Sequence, residues 1–263
     1  MANLFRRARQ FIEYEAGVRA GRRDPLIPPG WLHSVGNGDF VAIGEEFFRY
    51  FVDAAVLKSH EKVLDVGCGT GRMARPLARY LQGGTYDGFD IVAKSIKWCQ
   101  TTYASRHPNF RFHFADVYNK AYNETGKTQA AEYRFPFDDA TFDFAFLTSV
   151  FTHMLPKDLD RYLSEIARVL KPGGRCLITM FLLNAESRHL IEEGASSIPF
   201  KHELPGCWVS RADVPEAAVA YDEQTIADRY RAVGLQMQPP IRYGTWSGRT
   251  NGLSFQDMII ASR

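Results

Sequence analysis

The stretch Val63-Leu64-Asp65-Val66-Gly67-Cys68-Gly69-Thr70-Gly71-Arg72 decides the fold of this chain. Residues 62–66 have the apolar character of a short strand, and a helical apolar spacing follows over 72–81. Between them lies a turn with three glycines, the residue type that adopts positive φ and lets a ligand approach the backbone. A strand, a glycine-rich turn and a helix in this order predict a nucleotide-binding α/β unit.

The spacing of these glycines indicates which nucleotide ligand the turn would hold. The dinucleotide fingerprint is G-x-G-x-x-G, whereas this turn has G-x-G-x-G, with Arg72 at the position of the third fingerprint glycine. Asp65 stands at the end of the strand, where a carboxylate would repel a pyrophosphate and attract an ammonium group. We therefore expect an adenosine ligand with an amino-acid moiety. A glycine-rich turn for another ligand is the alternative.

The rest of the chain alternates strands with helices, which predicts a parallel sheet with right-handed crossovers. Two predicted strands near the C-terminus, 235–243 and 255–261, have no helix between them and indicate an antiparallel hairpin at the sheet edge. The other predicted strands are 85–90, 110–115, 142–147 and 175–180, and the predicted helices are 44–51, 92–106, 157–170 and 222–233.

The glycine-rich segment resembles motif I of the class I S-adenosylmethionine (SAM)-dependent methyltransferases, and the resemblance extends over about residues 55–183 and the terminal hairpin. It implies a Rossmann-like mixed sheet of seven strands in the order 3-2-1-4-5-7-6. Strand seven would be antiparallel, helices would cover both faces, and a cap would be added. It also implies SAM as cofactor and S-adenosylhomocysteine as product.

The resemblance implies roles for acidic residues at the ends of the next two strands. Asp90 would accept both ribose hydroxyls, and Asp116 would accept the adenine amino group, with Ile91 and Val117 on either side of the ring. A helix N-cap is the alternative for Asp90, with Asp87 as a weaker competitor, and a solvated strand end is the alternative for Asp116. The expected cofactor contacts are Asp65, Gly67, Cys68, Gly69, Gly71, Arg72, Asp90, Ile91, Asp116, Val117, Thr148 and Ser149.

The fourth strand ends in Leu147-Thr148-Ser149-Val150-Phe151-Thr152-His153-Met154, a turn that faces the methyl donor in the family. An alcohol acceptor needs alignment and removal of its proton, and a histidine suits that task. His153 is thus the candidate general base of an O-methyltransferase. A histidine that bonds the backbone or packs under the next helix is an equal alternative, and His189 and His202 are weaker candidates.

Several chemistries are disfavoured. The turn has no Asn/Asp-Pro-Pro-aromatic run, which argues against methylation of nucleobases or glutamine, and its Thr148-Ser149 differs from the aspartate that holds Mg²⁺ in some O-methyltransferases. We expect no required metal. Asp138 and Asp139 are expected in a structural turn. A net charge of +2 argues against a nucleic-acid partner. The four cysteines lack CxxC spacing, which suits a reducing, cytoplasmic setting.

The predicted division of the chain is an N-terminal lid or helical segment (1–50), a SAM-binding core (51–183), a cap insertion (184–220) and a C-terminal helix with the hairpin (221–263). Residues 117–137 form an unusually long connection. Leu4, Phe5, Ala8, Phe11 and Ile12 could share one helical face. A lid helix is the preferred interpretation, and peripheral membrane contact is the alternative. We expect neither a transmembrane segment nor a signal peptide.

The acceptor is expected to meet aromatic and polar side chains, which suit a sugar, an oligosaccharide or a polyol. Ordinary packing within a cap explains the same residues. A small-molecule N- or C-methyltransferase and a non-catalytic SAM-binding protein are the competing functions. The aromatic and polar residues are Tyr118, Asn119, Lys120, Tyr122, Asn123, Tyr133, Phe135, Trp208, Tyr243, Trp246 and Arg249.

Overall fold

A computed structural model describes residues 9, 12–14, 16–32, 38–103 and 105–263. The described residues up to 60 form one compact unit with 68–115, and residues 61–67 form a second unit with 116–263. Leu4, Phe5, Ala8 and Phe11 of the proposed lid face lie outside the described residues. No helix within the described ranges is long and apolar enough to cross a membrane.

The helices are α1 (Phe40–Arg49), α2 (Ala74–Tyr80), α3 (Ala93–Tyr103), α4 (Pro156–Val169), α5 (Ala185–Glu192) and α6 (Glu223–Ala232). The strands are β1 (Lys62–Val66), β2 (Thr85–Asp90), β3 (Phe110–Phe114), β4 (Phe142–Leu147), β5 (Leu170–Leu183), β6 (His202–Leu204), β7 (Cys207–Val209), β8 (Val219–Asp222), β9 (Gln236–Arg242) and β10 (Asp257–Ser262).

In the first unit, β2 and β3 pair in parallel along their whole length. Helix α1 begins four residues earlier than predicted because the Asp39 carboxylate accepts the N–H of Ala42 and caps the first turn. The helix continues into a π-helical turn over Tyr50–Ala54. Arg75 of α2 pairs with Asp24 at 2.8 Å and with Glu45 of α1 at 3.0 Å. These two ion pairs attach the segment around Asp24 to the helices of the unit.

In the second unit, β1 pairs with β4 and β4 pairs with β5, both in parallel. Strand β10 is antiparallel to β5 and to β9, so the last two strands form the antiparallel hairpin that the sequence predicts. The strand neighbours inside each unit are those that the order 3-2-1-4-5-7-6 requires. The Rossmann-like α/β fold class is thereby confirmed.

Strand β5 continues beyond the predicted end at residue 180, and additional strands extend the sheet from this segment. Its segment 181–183 pairs in parallel with β8, which pairs with β7, and β7 with β6, both antiparallel. Strands β6 and β7 have three residues each, too few to show an alternating pattern. The insertion at 184–220 therefore adds strands that sequence periodicity did not predict.

Asp257, at the start of β10, is a fully buried carboxylate that joins three segments. It accepts the N–H groups of Leu182 and Gly244 at 2.7 Å and the indole N–H of Trp246 at 2.8 Å. Burial raises the pKa of Asp257 to about 6, against the lowering effect of these donors. The Arg249 guanidinium lies 3.7 Å away and adds a compensating charge.

This cluster corrects part of the expectation for the acceptor pocket. Trp246 and Phe135 are buried, and so is Arg249, which pairs with Glu186 at 2.8 Å. Their side chains satisfy one another or fill the core, so they offer no surface to an acceptor. Ordinary packing, the alternative interpretation, is correct for these three residues.

We predict that Asp257→Ala strongly destabilises the fold, because it leaves three buried N–H donors without an acceptor. Each orphaned donor costs roughly 1–3 kcal/mol, so the free energy of unfolding should fall by about 3 kcal/mol or more. Urea unfolding measures this change. Asp228→Ala is the control, because Asp228 forms an exposed ion pair with Arg231 and an exposed hydrogen bond with Gln224. Equal stability of the two variants would contradict the assignment.

Candidate functional site

The glycine-rich turn leaves β1 in a conformation that side chains rarely adopt. Gly67, Gly69 and Gly71 have φ values of +84°, +52° and +77°. At Gly67 a Cβ atom would also lie 2.5 Å from Cγ2 of Val150, so only glycine fits there. Near Gly71 the hydroxyl of Tyr103 donates to the carbonyl oxygen at 3.3 Å. The turn therefore exposes backbone where a ligand would otherwise meet side chains.

Asp90 holds this turn in place within the first unit. Its Oδ2 accepts the N–H of Gly69 at 2.8 Å, and its Oδ1 accepts the N–H of Val92 at 2.8 Å. Burial raises the pKa of Asp90, and its bonds from backbone N–H groups act in the opposite direction. The bond to Val92 closes a turn just before α3, which begins at Ala93, so Asp90 is not the N-cap of that helix. A carboxylate has about four acceptor sites, so these bonds leave capacity for ribose hydroxyls.

The competitor Asp87 has a different role. It is buried and pairs with His113 at 2.9 Å and with Arg111 at 3.2 Å on the neighbouring strand. Its carboxylate is thus committed to the β2–β3 pair. Asp90 is the better candidate for the ribose.

The adenine-binding candidates lie at the start of the long connection in the second unit. Asp116 is partly exposed, lies 3.7 Å from Nζ of Lys127, and accepts backbone N–H groups through its main-chain oxygen. Val117 is almost fully buried and forms a bridge with Thr128. Ile91, in the first unit, is half-buried. Their contacts with adenine stay predictions.

The remaining residues of the loop are packed. Cys68 is buried, and its N–H donates to the carbonyl oxygen of Phe89 at 3.0 Å. The guanidinium of Arg72 lies 5.7 Å from the centroid of the Phe40 ring, and burial lowers its pKa. Asp65 is buried in β1 opposite Phe146 of β4.

The turn after β4 contains a strained residue that the sequence did not reveal. Ser149 has φ of +59°, which is uncommon outside glycine, asparagine and aspartate. Its N–H donates to Oγ1 of Thr179 at 2.8 Å, and its hydroxyl donates to Oε1 of Gln256 at 3.1 Å. The Thr179 hydroxyl donates to the same oxygen at 2.6 Å. Strain of this kind persists where surrounding bonds enforce it, and it is frequent at functional turns.

Thr179 and Gln256 were absent from the expected site. No motif marks either residue, since Thr179 lies on β5, Gln256 precedes β10, and the two meet Ser149 only through the pairing of these strands. Thr148, the other expected contact at this turn, is half-buried.

His153 lies half-buried on a short 3₁₀ turn, three residues before α4 begins at Pro156. Its Nδ1 is 2.8 Å from the carbonyl oxygen of Glu216. A carbonyl only accepts, so Nδ1 carries the proton, and in the neutral ring Nε2 keeps its lone pair. The backbone bond of the alternative interpretation is present, and it also produces the tautomer that a base requires.

The weaker candidates take other roles. His189 is exposed and lies 3.2 Å from Glu193 on α5, and His202 is exposed on β6. Asp139 pairs with Arg168 at 2.7 Å, as expected for a structural turn. The part of the chain that the structure describes contains no cluster of three or more potential metal ligands.

We predict that Gly67→Ala weakens SAM binding by about tenfold or more, because the new Cβ atom adds a clash with Val150 to a strained φ. Calorimetry with SAM measures this change. Gly83→Ala is the matched control, since Gly83 has φ of +82° and an added Cβ atom there would meet no other atom within 4 Å. Adding Val150→Ala to Gly67→Ala should recover part of the affinity. Unchanged binding by the single variant would refute the close approach at this glycine.

Comparisons with known proteins also indicate a methyltransferase domain. Residues 64–178 match the family model described as a methyltransferase domain. A fatty-acid O-methyltransferase of Mycolicibacterium smegmatis is 35% identical over 119 residues, which are 45% of this chain and 36% of that protein. The phthiotriol/phenolphthiotriol dimycocerosates methyltransferase 1 of Mycobacterium ulcerans is 34% identical over 123 residues, 46% of this chain and 38% of that protein. The chain thus spans little more than a third of the length of these relatives.

Solved structures agree on the fold. A SAM-dependent methyltransferase of Methanosarcina mazei superposes with a TM-score of 0.52 at 22% identity, over 81% of this chain and 96% of that one. The glycine turn after β1 lies within the matched segment 64–178. The solved structure has the same fold as this chain. The match of residues 64–178 to the methyltransferase-domain model and the shared fold agree with the resemblance to the class I SAM-dependent methyltransferases.

Proposed function

We propose that this chain transfers the methyl group of SAM to an oxygen atom of its acceptor, with His153 as the general base. The observation that carries the proposal is the bond between Nδ1 of His153 and the carbonyl oxygen of Glu216. This bond fixes the ring and leaves Nε2 as the proton acceptor. The family relationship supplies SAM as the methyl donor.

The residues of the glycine turn would hold the cofactor. We assign the ribose hydroxyls to Asp90, the adenine amino group to Asp116, and the ammonium group of the methionine moiety to the Asp65 end of β1. The backbone of Gly67 and Gly69, which is half-buried and has no side chain over it, lets the cofactor approach. Thr148 and Ser149 are assigned to the side of the methyl group.

The proposed reaction is a single displacement. Bound SAM would supply an electrophilic methyl group, which the acceptor oxygen would take with its lone pair as the electron pair of the carbon–sulfur bond went to sulfur. The proton of an acceptor hydroxyl passes to Nε2 of His153. General base catalysis of this kind contributes about 10²–10⁴-fold to a rate.

The surface of the second unit favours an acceptor with a large apolar part. Leu253 and Phe255, which precede β10, are both about half exposed, and the neighbouring Gln256 bonds to Ser149. Large exposed side chains next to a site indicate contact with an apolar ligand. The related fatty-acid O-methyltransferase acts on an apolar compound by its name. We therefore propose a hydroxyl or carboxyl group on an apolar molecule.

A sugar or polyol acceptor is the second candidate, supported by the exposed rings of Tyr118 and Tyr122. The amides expected to help bind a sugar have other partners. Asn119 accepts the N–H groups of Ala121 and Tyr122, and Asn123 donates to the carbonyl of Val117. Because these bonds hold the loop itself, we rank the sugar second.

We predict that His153→Asn lowers kcat by about 10²-fold or more with 1-naphthol, a hydroxyl acceptor, while SAM affinity stays the same, because asparagine can donate to Glu216 but cannot accept the proton. Single-turnover kinetics and SAM calorimetry separate the two effects. His60→Ala, at an exposed position, is the control. A kcat close to that of the wild type would refute the base role.

The acceptor class is tested by S-adenosylhomocysteine release with decanoic acid, 1-naphthol, methyl α-glucoside and decylamine. We expect the two apolar oxygen acceptors to exceed the glucoside by about tenfold or more in kcat/KM, since apolar contact discriminates by that order. Preference for the glucoside would favour the sugar candidate. Preference for decylamine would refute O-methylation.

A further inference from the structure

We infer that Gln256 is an acceptor-binding residue, whose side-chain amide N–H donates to an oxygen atom of the molecule that is methylated. This inference rests on the proposed function. It concerns one residue that neither the motif nor the family relationship assigns.

The orientation of the Gln256 amide follows from the protons around Thr179. Thr179 is fully buried, and its Oγ1 accepts the N–H of Ser149, so its own proton needs a second partner. Oε1 of Gln256, at 2.6 Å, accepts that proton. If the amide were flipped, its nitrogen would take the place of Oε1 beside the Thr179 hydroxyl. The buried proton of that hydroxyl would then have no acceptor, which is costly. The Ser149 hydroxyl donates to the same oxygen, so two donors fix it.

This arrangement leaves the amide nitrogen of Gln256 with two N–H donors for a ligand. In the described part of the chain, no protein group accepts from that nitrogen. Gln256 is only half-buried, so the donors remain accessible. The nitrogen shares a planar group with an oxygen bound to Ser149, and it therefore lies beside the turn assigned to the methyl group.

The position of Gln256 is rigid, which suits a residue that orients a substrate. The next residue, Asp257, is held by three buried donors, and Oε1 is held by two hydroxyls. The preceding residue, Phe255, is exposed and offers an apolar surface next to the amide. A fixed donor beside an apolar contact matches an oxygen at the end of an apolar molecule.

The test compares Gln256→Glu with the wild type on decanoic acid and 1-naphthol. Glutamate keeps two oxygens for the hydroxyls of Thr179 and Ser149, so the structural role is preserved, but it has no N–H to donate. We expect KM for both acceptors to rise about tenfold or more, with kcat changed by less than about threefold and S-adenosylhomocysteine affinity by less than about twofold. Gln238→Glu, on exposed β9, is the charge-matched control.

A second variant separates acceptor binding from support of the turn. Thr179→Val removes the hydroxyl that holds both Ser149 and Gln256, so it should lower kcat as well as raise KM, and Thr179→Ser should restore both. Wild-type KM values in Gln256→Glu would overturn the inference, as would a loss of S-adenosylhomocysteine affinity as large as the rise in KM. Absence of any methyl transfer by the wild type would overturn the proposed function, and this inference with it.

Discussion

The sharp change of direction after β1 is the constraint on which the cofactor end of this protein depends. The chain must pass from Val66 into α2 at Ala74 through residues in the left-handed region, where a Cβ atom is costly. Gly67 meets an additional limit, because Val150 fills the space that its side chain would need. The turn can therefore present its backbone to a ligand, and this property underlies every cofactor role assigned here.

Two side-chain oxygens hold backbone in unusual conformations at the ends of the central strands. The Asp90 carboxylate fixes Gly69 in the first unit, and the Thr179 hydroxyl fixes Ser149 in the second. In both cases a side-chain oxygen accepts a backbone N–H of a turn that lies outside the helices and strands. The strain at Ser149 is thereby maintained without glycine, and the serine hydroxyl at this turn donates to Gln256.

Much of the fold was predictable because its signals are local. The glycine turn, the apolar strands β2 to β4 and the C-terminal hairpin each have a clear pattern over consecutive residues, and all were found near their predicted bounds. Asp90 could be singled out from the sequence because it ends a strand and precedes a helix. Its bonds to Gly69 and Val92 were not predicted, and its contact with the ribose stays a prediction.

The parts that could not be predicted depend on distant contacts. Thr179 and Gln256 are 77 positions apart and meet only because β10 pairs with β5. The burial of Trp246 follows from its bond to Asp257, which no periodicity in the connecting loop indicates. The acceptor side of the molecule consists mostly of such contacts, which explains why the cofactor was easier to infer than the acceptor.

The most direct test of the cofactor assignment is a crystal structure of the protein with S-adenosylhomocysteine. We expect the ribose hydroxyls to donate to Asp90 while Gly69 keeps its bond to the same carboxylate, and the sulfur to face the Ser149 turn. An adenosine moiety bound away from Asp90, with the glycine turn making no contact to the ligand, would contradict the assignment.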